Sequence, residues 1–186
     1  GRHLILINNN SKIETLIELI LKSLKKNYRF ILGSKLEKDK NNEYYLEKTM
    51  NIISHMKNDQ IIILKNLENI YSRFDELFNK NFYQMENSEY TRIFIDSSTF
   101  ERHIVNKNFR CIILLEKNEI DKFNKSFLNR FEKHLISFES LLSEKLNILA
   151  NEIYLKIKQI SINNNNSFLI NIDIEEIRCL LLNLSL

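Results

Sequence analysis

The residues Leu128-Asn129-Arg130-Phe131-Glu132-Lys133-His134 closely follow the apolar run Phe109 to Leu115 and carry the most specific chemical signal in the chain. They set one arginine between two bulky apolar side chains, Leu128 and Phe131, just past a run that reads as a buried strand. Such an arginine is fixed by its neighbours while its guanidinium stays free, an arrangement suited to stabilising charge on a phosphate held by another surface. The expectation is a donated arginine. The plainer alternative is a solvated arginine on a helix, the usual setting for this residue type.

The chain does not read as an owner of the phosphate it would serve. A phosphate cradle needs backbone that approaches a ligand closely, and glycine does this at least cost. Only two glycines occur, Gly1 and Gly33, so neither GxxxxGK[ST] nor GxGxxG can be written anywhere. The loop after the first strand is Asn8-Asn9-Asn10-Ser11-Lys12, with Ser and Lys in the wrong order and too few residues to wrap a triphosphate. Ser11 and Lys12 read instead as a helix start with a solvated lysine. After the third strand a P-loop ATPase of this class places Asp and Glu; Lys65 and Asn66 stand here. A lysine repels a divalent ion and an asparagine takes no proton, so hydrolysis should fail. Glu68 reads as a helix-opening acid favoured by the dipole. Glu116 with Lys117 reads as a solvated pair at a strand end, with Asn118 beside it as a candidate sensor position.

The bulk properties leave room for one domain, or for a core domain with part of a second. The chain has 186 residues, 44% of them apolar, and a formal net charge of +3. Its charges are interspersed rather than gathered in a stripe, which argues against a nucleic-acid surface. Cys111 and Cys179 are far apart, and Cys111 lies in an apolar run where a buried free thiol is the ordinary explanation, pointing to a reducing compartment. His3, His55, His103 and His134 show no metal-ligand spacing, and no metal is assigned. No apolar run reaches the roughly 20 residues needed to span a bilayer, and no charged-then-apolar leader is expected at the start. The absence of proline and the abundance of Asn, Lys and Ile read as compositional bias, and Asn163 to Asn166 as a low-complexity loop.

The elements that must position these residues alternate. His3–Ile7 reads as a strand, and Ser11 with Glu14 as a capping box opening a helix to about Lys26. Arg29–Leu32 is a second strand, followed by a helix with apolar positions Leu46, Met50, Ile53 and Met56. Ile61–Leu64 is a third strand, apolar on both faces as in a covered parallel sheet. One helix should carry Leu67, Ile70, Tyr71, Phe74, Leu77 and Phe78. Arg92–Asp96 and Arg102–Val105, separated by Ser97, Ser98 and Thr99, read as an inserted hairpin. The strand Phe109–Leu115 follows, then a helix over about Asp121–Phe131 and a short strand Leu135–Phe138. Helices over about Ser140–Ile160 and Asp173–Leu184 close the reading. The pattern predicts an α/β class with a parallel sheet.

Phe30-Ile31-Leu32-Gly33-Ser34 with Lys38-Asp39, Ile61 to Tyr71, Phe74 to Asn79, Asn108-Phe109-Arg110 and Leu128 to His134 together resemble the mysterin family. These are giant RING-finger ubiquitin ligases with a dynein-like row of AAA+ modules. The match runs in order from about Arg2 to Glu139, and the last helices add little. The resemblance implies an AAA+ P-loop-type core over residues 1–139, with a five-stranded parallel sheet and an inserted β-hairpin, and part of a helical lid over 140–186. It implies a degenerate, non-hydrolysing module whose altered positions are Ser11, Lys12, Lys65, Asn66 and Glu116, with Arg130 serving the preceding module's ATP site. ATP and Mg would then be bound by the adjacent module and no cofactor by this segment. The implied partners are neighbouring AAA+ modules of the same chain and, through other domains, the ubiquitin machinery; no nucleic acid and no transmembrane segment are implied, and the setting is cytoplasmic. Two other readings stay open. One is a purely structural interaction module in which Arg130 pairs with a carboxylate at a module interface. The other is an independent small P-loop enzyme with an unusual loop, which the glycine count opposes.

Overall fold

The computed structural model describes residues 2–8, 12–36, 41–96, 99–163 and 172–185. The chain forms two compact units, Gly1–Asn8 with Lys25–Leu135, and Asn9–Leu24 with Ile136–Leu186.

The first unit is built on a five-stranded, all-parallel sheet. Its strands are β1 (Leu4–Asn8), β2 (Tyr28–Leu32), β3 (Ile61–Lys65), β7 (Arg110–Glu116) and β8 (Glu132–Leu135), ordered β2-β3-β7-β1-β8. The expected α/β class is therefore the observed one. Ile62, Ile63 and Leu64 of β3 are fully buried although successive residues point to opposite faces, which is why the strand reads as an unbroken apolar run. In register, Ile63 lies beside Phe30 and Ile112, and Ile5 beside Ile113.

Helix α2 (Asn42–Met56) starts where the Asn41 side chain accepts the Tyr44 amide at 2.8 Å. Its buried face carries Thr49, Ile52 and Met56, whereas Leu46 and Met50 are exposed, so the expected apolar stripe is rotated. The rotation is tolerated because the Thr49 hydroxyl donates back to the Tyr45 carbonyl at 2.7 Å. The single helix expected after β3 is broken into α3 (Glu68–Tyr71), a 3₁₀ turn Ser72–Phe74, and α4 (Asp75–Asn79), which ends on left-handed Lys80. Its apolar residues still enter one core: Leu67, Ile70, Tyr71, Phe74, Leu77 and Phe78 are all buried.

The inserted hairpin is a three-stranded antiparallel sheet of β4 (Tyr83–Met85), β5 (Ser88–Phe94) and β6 (Phe100–Val105). Ser97 and Ser98, placed in its turn by the sequence, lie outside the described residues. The helix expected over Asp121–Phe131 is instead a 3₁₀ segment, Lys117–Lys122, followed by α5 (Lys125–Leu128). The break falls at Asn124, whose side chain accepts the Phe127 amide at 2.6 Å and starts a new helix. The last strand begins at Glu132 rather than Leu135, because Leu4–Ile7 of β1 pair with Glu132–Leu135.

The second unit contains α1 (Ile13–Ser23), α6 (Phe138–Leu141), α7 (Glu144–Asn163) and α8 (Ile174–Ser185). Ser11, expected to cap α1, lies outside the described residues; Lys12 occupies the N-cap position and its side chain makes no capping bond. The helix expected from about Ser140 starts earlier, where Ser137 and Ser140 form a capping box for α6, and is split where Leu142 is extended and the Ser143 hydroxyl accepts the Leu146 amide at 3.4 Å to open α7. Arg178 of α8, nearly buried, pairs with Glu175 at 2.7 Å and reaches Glu139 of α6 at 3.6 Å. Of the expected low-complexity loop, Asn163 is the last residue of α7 and residues 164–166 are not described.

Candidate functional site

Arg130 lies one residue beyond Asn129, the C-cap of α5, its amide donating to the Phe127 carbonyl at 3.2 Å. Phe127 and Phe131 are buried on either side, with their rings 5.1 Å apart, and Phe78 lies 5.0 Å from Phe131. Leu128 packs against the same core cluster, half-buried. The apolar anchors read from the sequence thus hold the backbone on both sides of the arginine. The side chain itself is 19% exposed, and its Nη1 donates to Asp75 Oδ1.

Asp75 opens α4 between buried Phe74 and, one turn on, buried Phe78. Both ends of the ion pair are therefore rooted in one aromatic cluster, Phe74, Phe78, Phe127 and Phe131. The guanidinium carries five donors in a planar fork, and among the described residues one Nη1 contact is its hydrogen bond. Asp75 holds the fork without consuming it.

A cavity of about 580 Å³ lies beside this pair, lined among others by Lys35, Asn66, Glu68, Asp75, Glu119 and Arg130. It brings two of the sequence-derived positions, Asn66 and Arg130, to one space. Its rim is internally neutralised: Glu119 lies 3.5 Å from Lys122, and Lys35 lies 3.3 Å from Glu116. Glu116 is thus not a solvated partner of Lys117. It accepts the Glu119 amide while its own amide meets the Glu119 carboxylate, a reciprocal cap that opens the 3₁₀ segment after β7. Asn118 sits exposed within that segment. Glu68 is exposed at the first position of α3, as expected for a helix-opening acid.

Lys65 ends β3, and its carbonyl accepts the Gly33 amide at 2.8 Å. Asn66 takes a left-handed backbone, φ 57°, a conformation asparagine tolerates better than most residues. Lys12, in the second unit, pairs with Glu176, and its ammonium holds that carboxyl below the usual carboxylate range. Its companion Ser11 is not described.

The place of His3 had no sequence signal. His3 is buried, its Nδ1 accepting the Cys111 amide at 3.0 Å and its Nε2 lying 3.2 Å from the Leu77 carbonyl. Burial, reinforced by the Lys80 ammonium, lowers its pKa to about 4, so the ring is neutral and joins β1 to β7 and α4. Cys111 is a buried free thiol, as its apolar run implies, and burial pushes its pKa up. Among the described residues no helix is long and apolar enough to cross a membrane, and no cluster of His, Cys, Asp or Glu could hold a metal ion.

A protein of Dictyostelium discoideum described as a putative uncharacterized transmembrane protein is 27% identical over 140 residues, covering 69% of this chain and 2% of that protein. The chain thus spans a very small part of this relative's length. The description of the RNF213 AAA domain, RNF213 being also called mysterin, matches residues 1–142. The match includes the whole parallel sheet, the inserted antiparallel strands and the segment carrying Arg130. The chain belongs to the RNF213 AAA domain family.

Proposed function

We propose that this AAA module is a non-hydrolysing member of a longer RNF213-like chain, and that it supplies Arg130 to the ATP site of a neighbouring module. The observation that carries the reading is the mounting of Arg130: a backbone locked between buried Phe127 and Phe131, and a guanidinium held by one contact to Asp75. In phosphoryl transfer such an arginine is worth roughly 10³ to 10⁵ in rate. A lysine lacks the planar fork and replaces it poorly.

The chain's own residues do not fit magnesium and a triphosphate. Lys65 and Asn66 stand where a metal-orienting acid and a water-activating acid would be needed, and the Asn66 backbone is pressed against Gly33. Lys12 is occupied by Glu176. ATP and magnesium therefore belong to an adjacent module, and no chemical step is assigned to this one. Ubiquitin transfer would lie in other domains of the parent, and the second unit would serve as part of a helical lid.

The test is ATP turnover by the full-length protein at saturating ATP. Arg130→Ala and Arg130→Lys should both slow it sharply without unfolding the module, and Lys133→Ala, on exposed β8, should be near neutral. Equal turnover in wild type and Arg130→Ala would defeat the reading. A second reading is favoured by Asp75 itself: a purely structural role, with Arg130 tying α4 to the end of α5 inside one module.

A further inference from the structure

The inserted antiparallel sheet presents a face that the core does not cover. Thr91 and Ile93 of β5 and Val105 of β6 are buried, so the alternate residues of both strands point the other way. In register these are Tyr90 beside Ile104, Arg92 beside Arg102 and Phe94 beside Phe100, and Tyr83 and Met85 of β4 extend the same face. Met85, Phe100 and Ile104 are 44%, 45% and 43% exposed, so apolar surface lies open around two arginines.

The two arginines differ in what they hold. Arg92 commits its fork to Glu76, its Nε donating to Oε2 at 2.9 Å and its Nη2 to Oε1, and it lies over the Phe100 ring, 5.4 Å from the centroid. Arg102 lies over the Tyr83 ring at 5.9 Å, and among the described residues it neither donates a hydrogen bond nor pairs with an acid. Like charges directly opposite on neighbouring strands repel, and Glu76 neutralises only one of this pair. The Arg102 guanidinium is thus left as an uncompensated planar donor on an open face.

Two recesses meet at Arg102. One, of about 560 Å³, reaches Tyr83, Met85 and Arg92, and the one acid among its described lining residues is Glu76, already taken by Arg92. The other, of about 330 Å³, runs toward the end of α2 and is lined by Ile53, Lys57, Tyr90 and Ile104 among others, with no acid among the described lining residues. The neighbouring acid on β6, Glu101, faces His103 across 3.2 Å. Lys57 is exposed at the C-cap of α2, so this smaller recess carries two cations at the rim of an aliphatic and aromatic floor.

We propose that the face around Arg102 is a docking site for an acidic peptide segment of a partner protein that carries an aliphatic residue next to its carboxylate. The carboxylate accepts from the Arg102 fork with Lys57 beside it, and the adjoining aliphatic side chain enters the recess between Ile53, Tyr90 and Ile104. Charge complementarity selects the acid, because a guanidinium with its donors open matches a carboxylate bidentately. The exposed aliphatic surface selects a peptide over a nucleic-acid strand. A strand repeats its charge along a run of cations, whereas here two cations flank Met85, Ile53 and Ile104, which a phosphate backbone would leave uncovered. The site does not involve Arg130 and stands apart from the proposed role in ATP turnover.

The test is hydrogen exchange of the full-length protein, followed over residues 53–57, 83–92 and 100–105. The probes, at equal ionic strength, are a short peptide alternating glutamate and leucine, its counterpart with glutamine for glutamate, and a thymidine oligonucleotide. The glutamate peptide should slow exchange in these segments, and its midpoint should weaken about tenfold in Arg102→Gln, the loss of a charge-assisted pair. Lys57→Gln, which lies outside the sheet, should weaken it severalfold and decides the matter should Arg102→Gln disturb the strands. Lys125→Gln, an exposed lysine on α5, should leave the midpoint unchanged. No slowing by the glutamate peptide, equal slowing by the glutamine peptide, stronger slowing by the oligonucleotide, or a midpoint that Arg102→Gln and Lys57→Gln leave unchanged or Lys125→Gln weakens equally overturns the proposal.

Discussion

The carbonyl oxygen of Asn66 lies 1.8 Å from the point a Cβ on Gly33 would occupy, so the ends of β2 and β3 meet across the one internal glycine of the chain. The contact is reinforced by the Gly33 amide on the Lys65 carbonyl at 2.8 Å. The left-handed turn at Asn66 and the bare Gly33 backbone are therefore one feature: the chain leaves β3 through space that only glycine vacates. Gly33→Ala must push the two strand ends apart and should cost roughly 1–3 kcal/mol, as overpacking does. Thermal unfolding checks it, and an unshifted midpoint would mean the loop has slack the geometry denies.

A second prediction concerns the centre of the sheet. Ile62 and Ile63 are fully buried on opposite faces of β3. Placing a carboxylate at either position buries an unpaired charge or forces it to stay protonated, at a cost of several kcal/mol. Against a total stability of roughly 5–15 kcal/mol, Ile62→Asp and Ile63→Asp should not fold. A soluble variant that unfolds cooperatively would contradict the register of β3.

These strands were legible because burial on both faces leaves an unbroken apolar run, visible at Ile61–Leu64 and at Cys111–Leu115. Strand β8 was displaced for the opposite reason. All four of its residues are exposed, so no hydrophobic pattern marks it, and its place is set by backbone pairing with β1. Helix breaks at Asn124 and Leu142 escape the pattern because capping by Asn124 and by Ser143, whose hydroxyl accepts the Leu146 amide at 3.4 Å, overrides a continuing apolar periodicity. At the site, the mounting of Arg130 could be read from Leu128 and Phe131 as neighbours. Its partner Asp75 is 55 residues away, and Lys35 is 81 residues from Glu116, separations over which local pattern carries no information.

His3 makes the fold sensitive to acid. Above about pH 6.5 the imidazole is neutral in both folded and unfolded chains, so it adds no pH dependence there. Between about 6.5 and about 4 the unfolded chain takes up a proton that the buried ring refuses. Stability should therefore fall as pH drops through that window, by about 3 kcal/mol for this one group. Unfolding free energies measured from pH 7 to pH 4 should show the slope, and His3→Gln, weaker at neutral pH, should show a shallower one. Parallel slopes would mean that carboxylates alone account for the acid sensitivity.

The altered nucleotide positions give a fourth expectation. With Lys12 committed to Glu176, and Lys65 and Asn66 in place of two acids, the chain should show no tight binding in a calorimetric titration with Mg-ATP. Lys12→Ala should leave that result unchanged. Micromolar binding that disappears in Lys12→Ala would instead restore a phosphate site at the start of α1.

The pairing of Arg130 with Asp75 separates the functional role from the structural one, because the two roles predict different consequences of breaking it from the acid side. A part-exposed pair of this kind contributes about 1 kcal/mol or less, so Asp75→Asn should fold normally. If Arg130 serves only to tie α4 to α5, Asp75→Asn and Arg130→Gln should destabilise the module alike, the double variant should be no worse than either, and ATP turnover in the full-length protein should not respond. The expected outcome is different. Arg130→Gln should lose turnover almost completely, since the charge is gone. Asp75→Asn should lose only part of it, because the arginine keeps its charge and its mounting between Phe127 and Phe131 but no longer has its fork held at one edge. The double variant should match Arg130→Gln, showing that Asp75 acts on turnover through the arginine. Turnover that is insensitive to all three substitutions, with matched losses of stability, would assign the pair to structure alone.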